Sequence, residues 1–224
     1  MATAIKINNL TKSFQNKTLY KNLSISIDEG KCIGIVGGNG VGKSVLFNLI
    51  CGLLPTDQGE IEVNGIKVGG KAGVFPKDVG ILINSPGYIE FYSGFYNLKL
   101  LAEINSTISD EHICKVMEIC GLDPHSKTPV RKYSMGMKQK LGIAQAIMEN
   151  QNILLLDEPY NALDFSTNKD ITKVIQQLHR EGKTILLTSH QHEYLEKLCD
   201  EIYFVNDYNL IPFTEELKEQ YFSI

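Results

Sequence analysis

Gly37-Gly38-Asn39-Gly40-Val41-Gly42-Lys43-Ser44 sets a glycine-rich run beside an amine and a hydroxyl, a spacing suited to gripping a chain of phosphates. Glycines let the backbone curl until successive N–H groups face one anion. Lys43 offers a point charge that reaches β- and γ-phosphates, and Ser44 a hydroxyl for Mg²⁺. The plain alternative is a glycine-rich turn that happens to precede a lysine, and the flanks argue against it. Cys32-Ile33-Gly34-Ile35-Val36 reads as a buried strand, and Val45 to Ile50 continues with helical spacing. Strand, loop and helix together put the helix's partial positive charge at the phosphates. Nucleotide contacts are therefore expected from Gly37 through Val45.

A second chemical group lies far downstream. Ile153-Leu154-Leu155-Leu156 is a continuous apolar strand ending in Asp157-Glu158-Pro159. Parallel sheets place their ligands at the carboxyl ends of such strands. One carboxylate is wanted for Mg²⁺, and a second to polarise an attacking water. Asp157 suits the first task and Glu158 the second.

The elements that must position these groups follow from patterning. Ile5 to Leu10 and Leu23 to Ile27 read as strands, separated by a polar turn from Thr11 to Lys17 that carries Phe14. Ile61 to Val63 is a short strand, Asn64-Gly65 a hairpin turn, and Val79 to Ile83 a further strand. After Ser85-Pro86-Gly87 comes an aromatic stretch: Tyr88, Phe91, Tyr92, Phe95 and Tyr96. Leu98 to Ile104 and Glu111 to Cys120 read as helices, the second closed by Gly121. Met135 to Met148 is helical, and Ile171, Val174, Ile175 and Leu178 mark another amphipathic helix. Thr184 to Leu187 is a buried strand, His192 to Cys199 a helix, Ile202 to Val205 a final strand, and the tail from Pro212 a short helix.

Composition sets outer limits. The 224 residues are ample for a sizeable core, and the net charge of -4 with no basic run argues against nucleic-acid binding. Five cysteines without metal-type spacing read as free thiols serving as small core hydrophobes. No apolar run is long enough to span a bilayer and no signal segment is evident, so a membrane role is expected through a partner. His112, His125, His179 and His192 lack ligand-like companions, and Lys138 and Lys140 read as a solvated helix face.

The remaining motifs carry a resemblance. Tyr133-Ser134-Met135-Gly136-Met137-Lys138-Gln139-Lys140 resembles the signature L-S-G-G-Q of ATP-binding-cassette (ABC) transporter nucleotide-binding subunits. Asn161-Ala162-Leu163-Asp164 resembles that family's D-loop, and Thr188-Ser189-His190 its switch histidine. Phe14 falls where the family keeps an adenine-stacking aromatic. The likeness covers nearly the whole chain, and the Y-S-x-G-M-K-Q form is similar to bacterial drug, bacteriocin and lantibiotic exporters of the bacitracin-resistance type.

The resemblance implies an α/β fold: a P-loop NTPase core with a mostly parallel sheet, an antiparallel β subdomain and an inserted helical subdomain. The core would comprise residues 1–84 and 132–224, and the insert 85–131. It also implies ATP and Mg²⁺ as cofactors, the metal held by Ser44, Asp157 and Asn84. Two such subunits would pack head to tail as a homodimer. Ser134, Gly136 and Met137 would then meet the nucleotide held by the partner's phosphate loop, with Asp164 setting geometry across the interface. Glu158 would activate water and His190 would bond the γ-phosphate. A separate transmembrane permease would hold the chain at the cytoplasmic face of the membrane, and nucleic acid would not be a partner.

Three departures accompany the resemblance. Gly38 replaces a common proline, Met135 and Met137 replace Gly and Gln of the signature, and Asn84 stands at the Q-loop glutamine. The asparagine keeps the amide but is one methylene shorter. Two alternatives to an export ATPase follow: a soluble ABC ATPase acting on nucleic acid or ribosomes, and a weakly hydrolysing regulatory nucleotide binder. Export is favoured over import by the signature form and by the compact chain.

Overall fold

Apolar runs without interruption became strands covered on both faces, and alternating runs became strands covered on one. The computed structural model describes residues 2–15, 17–69, 73–84, 86–105, 108–161, 163–190 and 192–222. Asn16, Ser85 and Ala162, which belong to segments read above, lie outside the described residues. The chain opens with β1 (Thr3–Phe14), β2 (Lys17–Asp28) and β3 (Cys32–Val36), then α1 (Lys43–Ile50). β4 (Gln58–Val63), β5 (Ile66–Lys67) and β6 (Val79–Leu82) follow, and then α2 (Gly94–Asn105), α3 (Asp110–Ile119) and α4 (Met135–Ile147). Beyond these come β7 (Ile153–Leu156), α5 (Phe165–Arg180), β8 (Thr184–Thr188) and α6 (His192–Glu196). β9 (Glu201–Asn206), β10 (Asn209–Pro212) and α7 (Glu215–Phe222) end the series.

Two sheets organise the protein. The six-stranded sheet runs β10-β9-β3-β8-β7-β6, parallel throughout except for the β9–β10 pair. The four-stranded sheet, β2-β1-β4-β5, is antiparallel. The large sheet separates two cores, and its central strands feed both by simple alternation. Cys32, Val36, Leu154, Leu156, Ile185 and Leu187 face the helical side. Ile33, Ile35, Ile153, Leu155 and Leu186 face α1 and the small sheet.

The helix α4 lies directly on β6, because Gly80 presents no side chain there. An added Cβ would come within 1.8 Å of the Ala146 carbonyl oxygen. Ile113, Val116 and Met117 of α3 are buried as their spacing requires. Gly121, at φ 71, ends that helix with its N–H donated to Glu118 O. Asn64 and Gly65, both with positive φ, form the turn that joins β4 to β5.

Several local readings are corrected. Thr11 to Phe14 and Lys17 are strand rather than turn, since Ser13 pairs with Thr18 and Phe14 with Lys17. Cross-strand pairing outweighs the polar composition there. Val205 does not end the last strand, for β10 returns beside β9 through Asp207 and Tyr208, both at positive φ. The helix after His190 stops at Glu196, short of Cys199. Lys140 is not on a solvated face: its Nζ lies 2.8 Å from Asp170 Oδ2, tying α4 to α5. All five cysteines are free thiols, but only Cys32, Cys51 and Cys120 are buried. Among the described residues no helix is long and apolar enough to cross a membrane.

Candidate functional site

The carboxyl ends of four parallel strands converge on one place, as the strand order requires. β3 leads into Gly37 and the phosphate loop, β6 into Asn84, β7 into Asp157 and Glu158, and β8 into Ser189 and His190. A cavity of about 350 Å³ is lined there by Asn39, Ser44, Asn84, Asp157, Glu158, Asn161 and His190, with Met135 and Gln139. A second, of about 210 Å³, adjoins it along Gly38 to Ser44, with Leu19, Val45, Glu158 and His190. A larger cavity of about 500 Å³ lies at the opposite, strand-start edge among Thr3, Asp78, Ile153 and Thr184. It contains none of the motif residues, so chemistry rather than volume selects the site.

The loop is built for an anion. Gly40 and Gly42 take φ of 72° and 116°, the left-handed region where a side chain is strained. A Cβ on Gly42 would also sit 3.1 Å from the ring of buried Tyr20. Helix α1 has Gly42 as its N-cap, with no capping side chain and no acid in its first turn, so its leading N–H groups and partial positive charge stay available. Lys43, buried, donates to Gly37 O at 2.8 Å and Gly38 O at 3.1 Å. Lys17 donates to Gly40 O at 2.9 Å and so ties the small sheet to the loop.

One hydroxyl ties the Asp157 carboxylate to the main chain of Glu158. Thr188 Oγ1, fully buried on β8, donates to Asp157 Oδ1 at 2.7 Å and accepts from the Glu158 N–H at 2.8 Å. Glu158 itself has φ 48, a conformation that costs a non-glycine residue about 1 kcal/mol or more. Its Oε2 accepts from the His190 backbone N–H at 3.2 Å. Its Oε1 lies 3.3 Å from Lys43 Nζ and 3.0 Å from His190 Nε2, yet neither approach has hydrogen-bond geometry. This buried oxygen is thus ion-paired with Lys43 and lies beside the His190 ring at the cavity wall. This donor and acceptor set fits a phosphate chain: amine, open helix N-terminus and a carboxylate beside them. Ser44, Asp157 and Asn84 offer a hydroxyl, a carboxylate and an amide oxygen, a hard-oxygen set of the kind Mg²⁺ takes.

Other residues singled out from the sequence lie outside the two cavities. Ser134 caps α4, its Oγ accepting from the Met137 N–H at 3.2 Å, and its surface is exposed. Gly136 is buried against Thr167, where a Cβ would meet that side chain at 3.0 Å. Met137 is half-buried against the helical core. Asp164 caps α5 by accepting from the Thr167 N–H and hydroxyl at 2.9 and 2.8 Å. Those bonds, the backbone one foremost, hold its carboxyl below the usual range. Phe14 closes β1, 42% exposed, with Lys12 Nζ 5.0 Å from its ring centre. The aromatic stretch divides: Phe95 packs on the core and Tyr88 donates to Lys138 O, whereas Phe91, Tyr92 and Tyr96 remain exposed.

Thr188 and Gln139 are the functional candidates that sequence reasoning missed. Thr188 looks like any β-branched strand residue, and only its place two residues before His190 hints at more. Gln139 stands four residues after Met135 on α4, the spacing that puts both on one helix face.

Comparisons with known proteins bear on this site. Residues 20–161, well over half of the chain, match the family described as ABC transporter. The chain is 38% identical over 196 residues to YybJ of Bacillus subtilis, an uncharacterized ABC transporter ATP-binding protein, covering 88% of this chain and 89% of that protein. It is 32% identical to BcrA of Enterococcus faecalis, a bacitracin transport ATP-binding protein, covering 94% and 69% respectively. A solved dimeric ATP-binding cassette, in a post-hydrolysis state with ADP and Pi, superimposes with a TM-score of 0.81 at 22% identity, covering 92% of this chain and 96% of the other.

Proposed function

This chain belongs to the ABC transporter family, and from that premise we propose that it is the ATP-hydrolysing subunit that powers export of a drug or peptide antibiotic through a separate permease. One observation carries the reading. Glu158, at a strained φ, has its carboxylate between the phosphate-loop lysine and His190 at the sheet's carboxyl edge. Gly37 to Val45 would bind the phosphates, with Phe14 against the adenine. The Glu158 carboxylate would accept a proton from the attacking water once Lys43 turns to the phosphates, and His190 would donate to the γ-phosphate. Lys43 would leave the Gly37 and Gly38 carbonyls for the phosphates, exchanging neutral acceptors for charged ones. Ser44, Asp157 and Asn84 would hold Mg²⁺, which when bound neutralises phosphate charge.

The site is open on one side, with Ser134 exposed and Asp164 on the surface nearby. We therefore place a second copy of the chain there, its Ser134, Gly136 and Met137 completing the nucleotide's surroundings. The dimeric state of the similar solved cassette supports that arrangement. Exposed Ile89, Phe91, Tyr92 and Tyr96, within residues 85–131, would receive the permease, keeping the chain at the cytoplasmic face of the membrane. Bacitracin transport by the similar BcrA supports a peptide antibiotic as cargo.

Glu158→Gln tests the reading. The variant should bind ATP, form a dimer on a sizing column with saturating ATP, and lose at least about a hundredfold in turnover. Turnover within a few-fold of the unaltered chain would refute it. Asn84 lines the same cavity as Ser44 and Asp157, which favours a metal contact despite its short side chain.

A further inference from the structure

The backbone of Glu158 is held from two elements and from the turn that follows it. Its N–H donates to Thr188 on β8. Its carbonyl oxygen accepts from the Asn161 N–H at 3.1 Å and from Gln139 Nε2 of α4 at 3.5 Å. Gln139 and Met135, one helical turn apart, line the catalytic cavity together with Asn84, Asp157 and His190. The glutamine amide in this cavity therefore comes from the signature helix, while position 84 supplies the shorter asparagine.

We propose that Gln139 is a positioning residue for ATP hydrolysis, acting through the main-chain carbonyl of Glu158. Through this contact the first turns of α4 set the orientation of the catalytic carboxylate in the same chain. At 3.5 Å the bond is long, so a small advance of α4 would strengthen it steeply. Helix α4 does not depend on this bond for its place. Lys140 pairs with Asp170, Lys138 O accepts from Tyr88, and Gly80 lets α4 rest on β6. Removing one weak bond should therefore cost little stability, while a residue at positive φ loses one of its few restraints. The inference rests on the reading of Glu158 as the group that activates water.

The test uses the full chain with Gln139→Leu, Gln139→Glu, Glu158→Gln and the double variant Gln139→Leu/Glu158→Gln. Gln139→Glu keeps the shape but cannot donate while ionised, so it guards against a packing artefact. Turnover, KM for ATP, affinity for a fluorescent ATP analogue and the thermal midpoint are measured. Both Gln139 variants should lose about fivefold or more in kcat, with KM and affinity within about twofold and the midpoint within about 2 °C. In the double variant, Gln139→Leu should lower the residual rate by less than about twofold, because its effect passes through a carboxylate already removed. Unchanged kcat in both Gln139 variants beside an inactive Glu158→Gln would overturn this proposal alone. So would a midpoint that falls with kcat, or a further fivefold loss in the double variant. An active Glu158→Gln would overturn the reading of Glu158 and this proposal with it.

Discussion

Thr188→Val removes one hydroxyl and almost no volume, yet it should be among the costlier single changes near the site. The hydroxyl donates to the Asp157 carboxylate at 2.7 Å and accepts from the Glu158 N–H at 2.8 Å, and Thr188 has no exposed surface. A hydrogen bond to a charged group contributes about 1.5–3 kcal/mol, and leaving a buried N–H unpaired costs about 1 kcal/mol more. The sum is about 3 kcal/mol. For a chain of this length that corresponds to a fall of roughly 10 °C in thermal midpoint. Turnover should fall by about tenfold or more, because the Asp157 carboxylate and the Glu158 main chain lose their shared anchor. Thr188→Ser is the control: it keeps the hydroxyl, loses one buried methyl, and should cost about 1 kcal/mol with activity largely retained. Urea unfolding of the three proteins gives the stabilities, and ATP turnover the rates. The reasoning fails if Val is within about 0.5 kcal/mol of Thr, or if Ser is as damaging as Val.

Two further outcomes can be read from bulk properties. The hydrogen bond from Lys12, and secondarily the Ser13 N–H, hold the Asp57 carboxyl below its ordinary value of 3.8. Its stabilisation is therefore complete above that value and fades as pH falls through it toward the folded one. Asp57→Asn should melt lower than the unaltered chain near neutral pH, and the gap should close by about pH 2; a gap independent of pH would show that the ion pair is not its source. Burial pushes the Cys51 and Cys120 thiols up to about 12, so both should resist a thiol reagent in the native protein at neutral pH. Half-exposed Cys114 should react first, and all five cysteines should react in denaturant.

Much of the candidate site was legible in the sequence because its chemistry is local in the chain. The phosphate loop needs eight consecutive residues with glycines where φ turns positive, and the Asp157-Glu158 pair needs only a strand to end there. Buried strands such as Cys32–Val36 and Ile153–Leu156 announce themselves because sheets covered on both faces favour unbroken apolar runs. The Asn64-Gly65 turn was equally plain, whereas the Asp207-Tyr208 turn was not. Tyrosine at positive φ is uncommon and is held there by the pairing of β9 with β10.

What only the tertiary structure decided are the relations between distant residues. Thr188 meets Asp157 and Glu158 across 31 and 30 positions, and Gln139 reaches Glu158 across 19. Neither residue type carries a signal of its own, because a threonine in a strand and a glutamine on a helix are ordinary choices for local structure. The same holds for Lys140, whose partner Asp170 comes from another helix, and for Thr11 to Phe14, which are strand because β2 lies alongside. Periodicity and loop chemistry act over a few residues and can be read along the chain. Hydrogen bonds that orient catalytic groups depend on which strands become neighbours, and that order is settled only when the sheet assembles.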